Sequence, residues 1–209
     1  MAGGIGSRFW PESRTAKPKQ FLDILNTGKT LIQMTYDRFL NIVPAENIYV
    51  VTSDSYEKLV KEQLPALTDS QILKEPMRRN TAPCITYACD KIYARDKNAT
   101  VIVAASDHLI LEEQKFLDVV SKCIEFVSDN GYLVTIGIKP TKPATGYGYI
   151  QHEEENGKDG FYKVKTFTEK PTAEIAKTFL KSGDFLWNSG MFVWKAKTLL
   201  RAVVKHLPE

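Results

Sequence analysis

Thr100-Val101-Ile102-Val103-Ala104-Ala105 is an almost fully apolar run, and it ends on Ser106-Asp107-His108. Apolar side chains at successive positions mark a strand buried on both faces, as in a parallel sheet covered by helices. The chain before it alternates in the same sense. A helix is predicted from about Thr81 to Arg95 through Ile85, Ala88 and Ile92, and a short strand over Gln71–Glu75. A helix runs through Tyr56, Leu59, Val60 and Leu64, and a strand spans Asn47–Thr52. The first helix opens at Thr30, presents Ile32, Tyr36, Phe39, Leu40 and Val43 on one face, and stops at Pro44. Strand, helix, strand, helix, strand implies right-handed crossovers and a mainly parallel sheet. Ligands in such sheets bind at the carboxyl ends of strands, which is where Asp107 falls.

After the central strand, a helix is predicted over Glu113–Ser128 and a strand over Tyr132–Ile136. The rhythm then changes. Pro140, Pro143, Gly146 and Gly148 punctuate a loop, and Tyr149–His152 and Tyr162–Phe167 read as strands joined by a polar turn containing Glu153, Glu154 and Glu155. A short helix over Thr172–Lys181, an aromatic-rich stretch over Leu186–Trp194 and a helix to about His206 complete the chain. The expectation is one domain over 1–209, divided into a part over 1–137 and a smaller part over 138–209.

Toward the N-terminus, Gly3, Gly4 and Gly6 are followed by Arg8, Arg14, Lys17 and Lys19, with Glu12 as the one acid among them. Glycines let an anion approach backbone N–H groups, and Arg and Lys add fixed positive charge. This points to a polyphosphate site, although a glycine-rich terminus can also be a mere flexible end. A P-loop needs Gly-Lys-Ser/Thr, whereas Gly6 precedes Ser7-Arg8. The dinucleotide fingerprint would put its third glycine on Phe9, where a ring blocks close helix–strand approach. The loop is a phosphate cradle of another kind. Only Met1 precedes it, and the chain stops at Leu207-Pro208-Glu209 just after a helix, so the sequence predicts a piece cut at both ends.

The 209 residues carry 28 basic and 25 acidic side chains, a net charge of +3. So small an excess argues against nucleic acid or an anionic membrane as partner. No apolar run reaches membrane-span length and nothing resembles a signal peptide. Cys84, Cys89 and Cys123 form no disulfide framework and read as small core residues, and the three histidines lack zinc spacing. The expected location is cytoplasmic.

Six ordered blocks then resemble one family. They are Ala2-Gly3-Gly4-x-Gly6-x-Arg8 with Trp10-Pro11-x-Ser13-Arg14 and Pro18-Lys19-Gln20-Phe21; Glu75-Pro76-x-x-Arg79-Asn80-Thr81-Ala82-Pro83; Ser106-Asp107-His108; Thr145-Gly146-Tyr147-Gly148-Tyr149-Ile150; Phe167-x-Glu169-Lys170-Pro171; and Trp187-Asn188-Ser189-Gly190-Met191-Phe192. Together they resemble the sugar-1-phosphate nucleotidyltransferases, and the second block resembles the guanylyltransferases that act on mannose 1-phosphate.

That resemblance implies an α/β, Rossmann-like nucleotidyltransferase fold of the GT-A-like kind. It also implies conversion of GTP and mannose 1-phosphate to GDP-mannose and pyrophosphate with Mg²⁺. Gly3, Gly4 and Gly6 would offer N–H groups to the nucleotide. Arg8 would hold the departing pyrophosphate and Lys19 would stabilise charge in the transition state. Asp107, beside Ser106, would ligate the metal, unless it merely bonds its own backbone in a turn. A second acidic ligand is expected beyond Glu209. Glu75, Asn80 and Thr81 would face base or ribose, although Asn80 and Thr81 also suit a helix N-cap. Gly146, Glu169, Lys170 and Asn188 would bind the sugar phosphate, Glu169 and Lys170 having exposed surface charges as the alternative. The resemblance admits a homodimer. It leaves open another base or sugar, and a nucleotide-sugar-binding module without turnover.

Overall fold

The computed structural model describes residues 1–4, 9–75, 80–153 and 157–207. Two compact units emerge: Met1–Val134 with Val193–Glu209, and Thr135–Phe192. The division drawn from sequence at 137/138 falls inside a strand, and the end of the chain returns to the first unit.

In the first unit, α1 (Leu31–Phe39) starts on a capping box: the Thr30 N–H donates to Gln33 Oε1 at 2.9 Å. The helix ends at Phe39, one turn before Pro44, and Ala45–Asn47 forms a 3₁₀ turn instead of the start of a strand. β1 is therefore short (Val50–Thr52). α2 (Glu57–Gln63) leads to β2 (Ile72–Lys74), which pairs with β1 in parallel, Val51 opposite Leu73. α3 (Thr81–Arg95) matches its expected span and precedes β3 (Thr100–Val103). Val101 and Val103 are buried while Thr100 and Ile102 are half-buried, so β3 is less enclosed than its apolar run suggests. α4 (Glu113–Asp129) follows. Ahead of α1, a 3₁₀ turn spans Lys19–Phe21.

Phe21, Ile32, Val50, Tyr56, Val60 and Ile72 form one core cluster in this unit, with Phe21 tilted against Tyr56 at 5.8 Å between ring centroids. Met1 and Ala2 are strand-like. The Met1 ammonium donates to Ala104 C=O (2.8 Å), Ser106 N–H donates to Met1 C=O (3.0 Å), and Ala2 N–H donates to Val51 C=O (2.8 Å). Bonds to residues 104 and 106 from one residue are the parallel-ladder pattern. The loop is thus anchored by two residues held between β1 and the end of β3. The three cysteines are buried and free, as expected of core residues.

In the second unit, β4 (Val134–Ile138) enters beside β7, and the loop to β5 (Tyr149–His152) carries the paired glycines. β5 is antiparallel to β6 (Val164–Thr168), Tyr149 opposite Thr168, and to β7 (Phe185–Lys195), Tyr149 opposite Trp187. α5 (Ala173–Ser182) is capped by Thr172, whose side chain accepts from Ile175 N–H, and ends at Gly183 in the left-handed region (φ 85°). Tyr149, Ala176 and Phe185 make its core. Among the described residues, β1 and β2 thus pair in parallel in the first unit, and β5 pairs antiparallel with β6 and β7 in the second. β7 is long; residues 193–195 return to the first unit, where Ala196 N–H donates to Ala99 C=O at 2.9 Å as α6 (Ala196–His206) begins.

Candidate active site

The first set of site residues lies at the carboxyl ends of β1, β2 and β3. Asp107 follows β3 by four residues, and Lys19 sits on the 3₁₀ turn whose Phe21 is fully buried. Burying that ring fixes the turn, and the turn delivers the Lys19 ammonium to Asp107 Oδ2 at 2.6 Å. The pair keeps 28% and 20% side-chain exposure, so solvent screens it only in part. Lys19 Nζ also lies 5.5 Å from the centre of the Phe9 ring. Two residues read separately from sequence therefore form one charged contact, with Ser106 buried beside it and its carbonyl accepting from Thr35 Oγ1 at 3.2 Å.

Gln20 is the residue that sequence reasoning passed over. Its side chain is buried, and Nε2 donates to Ala2 C=O (2.9 Å) and Gly4 C=O (3.0 Å). Thr52 Oγ1 also donates to Ala2 C=O, at 3.2 Å. One amide thus clips the glycine turn to the lysine turn. The only local sign was a neutral polar residue between Lys19 and the apolar Phe21, which periodicity does not interpret.

Gly3 and Gly4 lie on the described part of the loop; Gly6 and Arg8 fall outside the described residues. Glu75 leaves β2 with its N–H on Thr52 C=O (2.8 Å), and its Oε2 lies 4.0 Å from where a Cβ on Gly3 would stand. Its other carboxylate oxygen, Oε1, is buried without a hydrogen-bond partner, an arrangement that suits a donor arriving with a ligand. The segment 76–79 is likewise outside the described residues. Asn80 occupies the N-cap of α3, yet its side chain makes no capping bond, so the capping role expected of it is not what the structure has. Its backbone (φ 67°, ψ −165°) is in a region that ordinary side chains avoid. Asn80 and Thr81 are exposed at the start of α3.

Burial sets the electrostatics around this group. It lowers the Met1 ammonium pKa below 8.0, against the pull of Cys84 and Asp107. It also lowers His108 below 6.5; Asp107 opposes the shift, and Lys19 adds to it. Burial raises the Cys84 thiol, with Glu75 adding to the effect. Among the described residues no group of three or more His, Cys, Asp or Glu side chains is placed to hold a metal.

The second set lies within the second unit. Asn188 N–H donates to Gly148 C=O at 2.8 Å, and a Cβ on Gly148 would stand 2.7 Å from Glu169 Oε2 and 3.5 Å from Asn188 Cβ. Gly148, Glu169 and Asn188 therefore converge, and the absence of a side chain at 148 makes the room. Gly146, the glycine chosen from sequence, has nothing within 4 Å of such a Cβ. Asn188 Oδ1 accepts from Gly190 N–H at 3.0 Å, which orients the amide. Lys170 pairs with Glu169 (2.9 Å), both well exposed, so the surface-pair alternative describes their present contact. Tyr149 is buried in the core of this unit and donates to Ala144 C=O at 2.9 Å.

The chain matches the nucleotidyl transferase family over residues 1–207. It belongs to that family. This nucleotidyl transferase chain is 40% identical over 213 residues to a mannose-1-phosphate guanylyltransferase of Salmonella muenchen, covering all of this chain and 44% of the relative. It therefore spans less than half the length of such curated relatives. Among solved structures, one described as a mannose-1-phosphate geranyltransferase from Thermus thermophilus superposes with a TM-score of 0.90 at 29% identity, over 100% of this chain and 59% of that one. A mannose-6-phosphate isomerase from Helicobacter pylori superposes with a TM-score of 0.79 at 34% identity, over 93% of this chain and 72% of that one. The α/β nucleotidyltransferase fold expected from the sequence is the one observed. No helix among the described residues is long and apolar enough to cross a membrane.

Proposed function

We propose that this chain carries the nucleotidyl-transfer chemistry of a mannose-1-phosphate guanylyltransferase. The observation that supports it best is the Lys19–Asp107 contact beside the glycine turn, in a chain of this family. A phosphate oxygen of mannose 1-phosphate attacks the α-phosphorus of GTP, the bond to the bridging oxygen breaks, and pyrophosphate leaves with that electron pair. No covalent enzyme intermediate is needed, so the protein's work is positioning and charge stabilisation. In this reading Gly3 and Gly4 present backbone to the triphosphate, Gln20 holds their turn, and Lys19 faces the charge that grows on the α-phosphoryl oxygens. Arg8 and Gly6 take the pyrophosphate and nucleotide roles assigned from sequence. Glu75, Asn80 and Thr81 receive base and ribose, with Ser106 on the nucleotide side. Glu169, Lys170 and Asn188 bind the sugar phosphate, with Gly148 replacing Gly146 as the glycine that makes room.

Mg²⁺ fits this donor set in a limited way. Asp107 already draws a cation, and magnesium commonly takes one or two protein carboxylates and completes its shell with phosphate and water. Bound there, the ion would neutralise phosphate charge. Lys19 would then turn from Asp107 toward the phosphates.

The test offers the chain GTP, ATP, UTP or dTTP with mannose 1-phosphate or glucose 1-phosphate and follows pyrophosphate release. Turnover with GTP and mannose 1-phosphate is expected. Lys19→Met should lower kcat by about 10²–10³, the usual loss when one transition-state charge partner goes. Asp107→Asn should shift the magnesium titration. Preference for UTP or dTTP refutes the guanylyl reading, and guanine-nucleotide binding without turnover assigns a binding module. An isomerase chemistry would consume no triphosphate and is refuted by pyrophosphate release.

A further inference from the structure

Asp107 lies in the connection from β3 to α4, residues 104–112, which contains neither helix nor strand. Leu109 and Leu111 in it are exposed, so apolar burial holds it weakly. Its fastenings come from α1. Thr35 Oγ1 donates to the carbonyl of Ser106, one residue before Asp107, at 3.2 Å. Arg38 Nε donates to Oε1 of Glu113, the first residue of α4, at 3.0 Å. Thr35 and Arg38 are three positions apart and therefore share one face of the helix. All of these residues belong to the first unit.

Arg38 is costly where it stands. Its side chain is 1% exposed, whereas that of Glu113 is 48% exposed. Arg38 Nη2 is buried without a hydrogen-bond partner among the described residues, and Cζ lies 6.0 Å from the centre of the Phe116 ring. A buried guanidinium needs its donors satisfied, and an apolar side chain of similar volume often stabilises a fold equally well or better. Stability is therefore a poor reason for this charge. Position is a better one, because Arg38 and Thr35 grip the two ends of the segment that carries Asp107.

We propose that Thr35 and Arg38 are positioning residues for Asp107, fastening its connection to α1 through Ser106 at one end and Glu113 at the other. The inference rests on the reading of Asp107 as the magnesium ligand of nucleotidyl transfer. In that reading the carboxylate must release Lys19 and meet an arriving metal, so its side chain moves while the backbone beneath it stays in place. Neither Thr35 nor Arg38 touches substrate; both act through the chain between Ser106 and Glu113. A misplacement of about 1 Å in such a group costs roughly a hundredfold in rate.

The experiment compares the parent chain with Arg38→Met, Thr35→Val, Thr35→Ser and Asp37→Asn. Asp37 pairs with Lys29 in an exposed contact at 2.6 Å and serves as a control on the same helix. Thermal unfolding, ¹⁵N order parameters of residues 107–111, and kcat, KM for GTP and the magnesium titration are measured, with kinetics well below Tm. Arg38→Met should keep or raise Tm, yet lower the order parameters below about 0.6. Its kcat should fall about tenfold to a hundredfold with KM for GTP unchanged and half-maximal rate moved to higher magnesium. Thr35→Val should do the same at the Ser106 end, and Thr35→Ser, which keeps the hydroxyl, should restore the parent values. Asp37→Asn should change nothing. A lower Tm for Arg38→Met with parental order parameters and kcat assigns a structural ion pair and overturns the proposal. So does a loosened segment with unchanged kcat, a Thr35→Ser as impaired as Thr35→Val, or an Asp37→Asn that loosens the segment equally. If the parent chain releases no pyrophosphate, the nucleotidyl-transfer reading falls separately, and the order parameters alone decide whether α1 fastens the segment.

Discussion

Replacing Gln20 with Met keeps the side-chain volume and removes both donations, to Ala2 C=O at 2.9 Å and Gly4 C=O at 3.0 Å. The two carbonyls respond differently. Gly4 is exposed, so its carbonyl can turn to water, whereas Ala2 is 1% exposed but keeps the Thr52 hydroxyl at 3.2 Å. Neither is fully orphaned, so the loss is two net hydrogen bonds, about 2 kcal/mol, and not two buried unsatisfied groups. For a chain of this size that lowers Tm by roughly 4–8 °C. Thr52→Val by itself leaves Ala2 C=O on Gln20. The double variant strips both donors from a buried carbonyl and should lose at least about 1 kcal/mol more than the sum of the singles. Urea unfolding of the four proteins, with unchanged m-values, closes the cycle. Additivity within about 0.5 kcal/mol, or a neutral Gln20→Met, refutes the clip.

Gly148→Ala pushes against Glu169 Oε2, the mobile end of an exposed side chain, and meets Asn188 Cβ at an ordinary 3.5 Å. Stability should change little while KM for mannose 1-phosphate rises about tenfold, a cost near 1.4 kcal/mol; an unchanged KM removes Gly148 from the site. Asn80→Gly relieves a left-handed backbone and should stabilise by about 1 kcal/mol. If nucleotide affinity does not fall as stability rises, the Asn80 side chain does not touch the nucleotide. Stability should also peak between about pH 8 and pH 9. His108 and the Met1 ammonium have folded pKa values below 6.5 and 8.0, so their stability is present above those values and is lost as pH falls. Cys89 and Cys123 are each pushed from 9.0 up to about 11 by burial, so their stability is present below pH 9 and is lost as pH rises. A series of Tm values at pH 5.5, 8.5 and 10.5 should form a dome whose acid limb flattens in His108→Gln and whose alkaline limb flattens in Cys89→Ala/Cys123→Ala. A flat profile refutes the burial argument.

The sequence by itself determined the elements whose cause is local. α3, α4 and α6 follow from 3.6-residue spacing, and α1 and α5 begin directly after threonines, Thr30 and Thr172. It also marked Lys19 and Asp107, because charged residues flanking a glycine turn and ending an apolar strand stand out from their neighbours. Their contact at 2.6 Å belongs to tertiary structure, since 88 positions of chain separate them and burial of Phe21 sets the lysine's direction. The same holds for Gln20, whose amide has meaning only once Ala2 and Gly4 are beside it. The sequence pointed to Gly146; that Glu169 and Asn188 lie beside Gly148 is visible only in the folded chain. Sequence rhythm ran β1, β2 and β3 together as one sheet and saw no strand ahead of the glycine turn. Only the folded chain places Met1 and Ala2 in the ladder between β1 and β3, because hydrogen-bond partners across a sheet are set by register in space and not by neighbours in the chain.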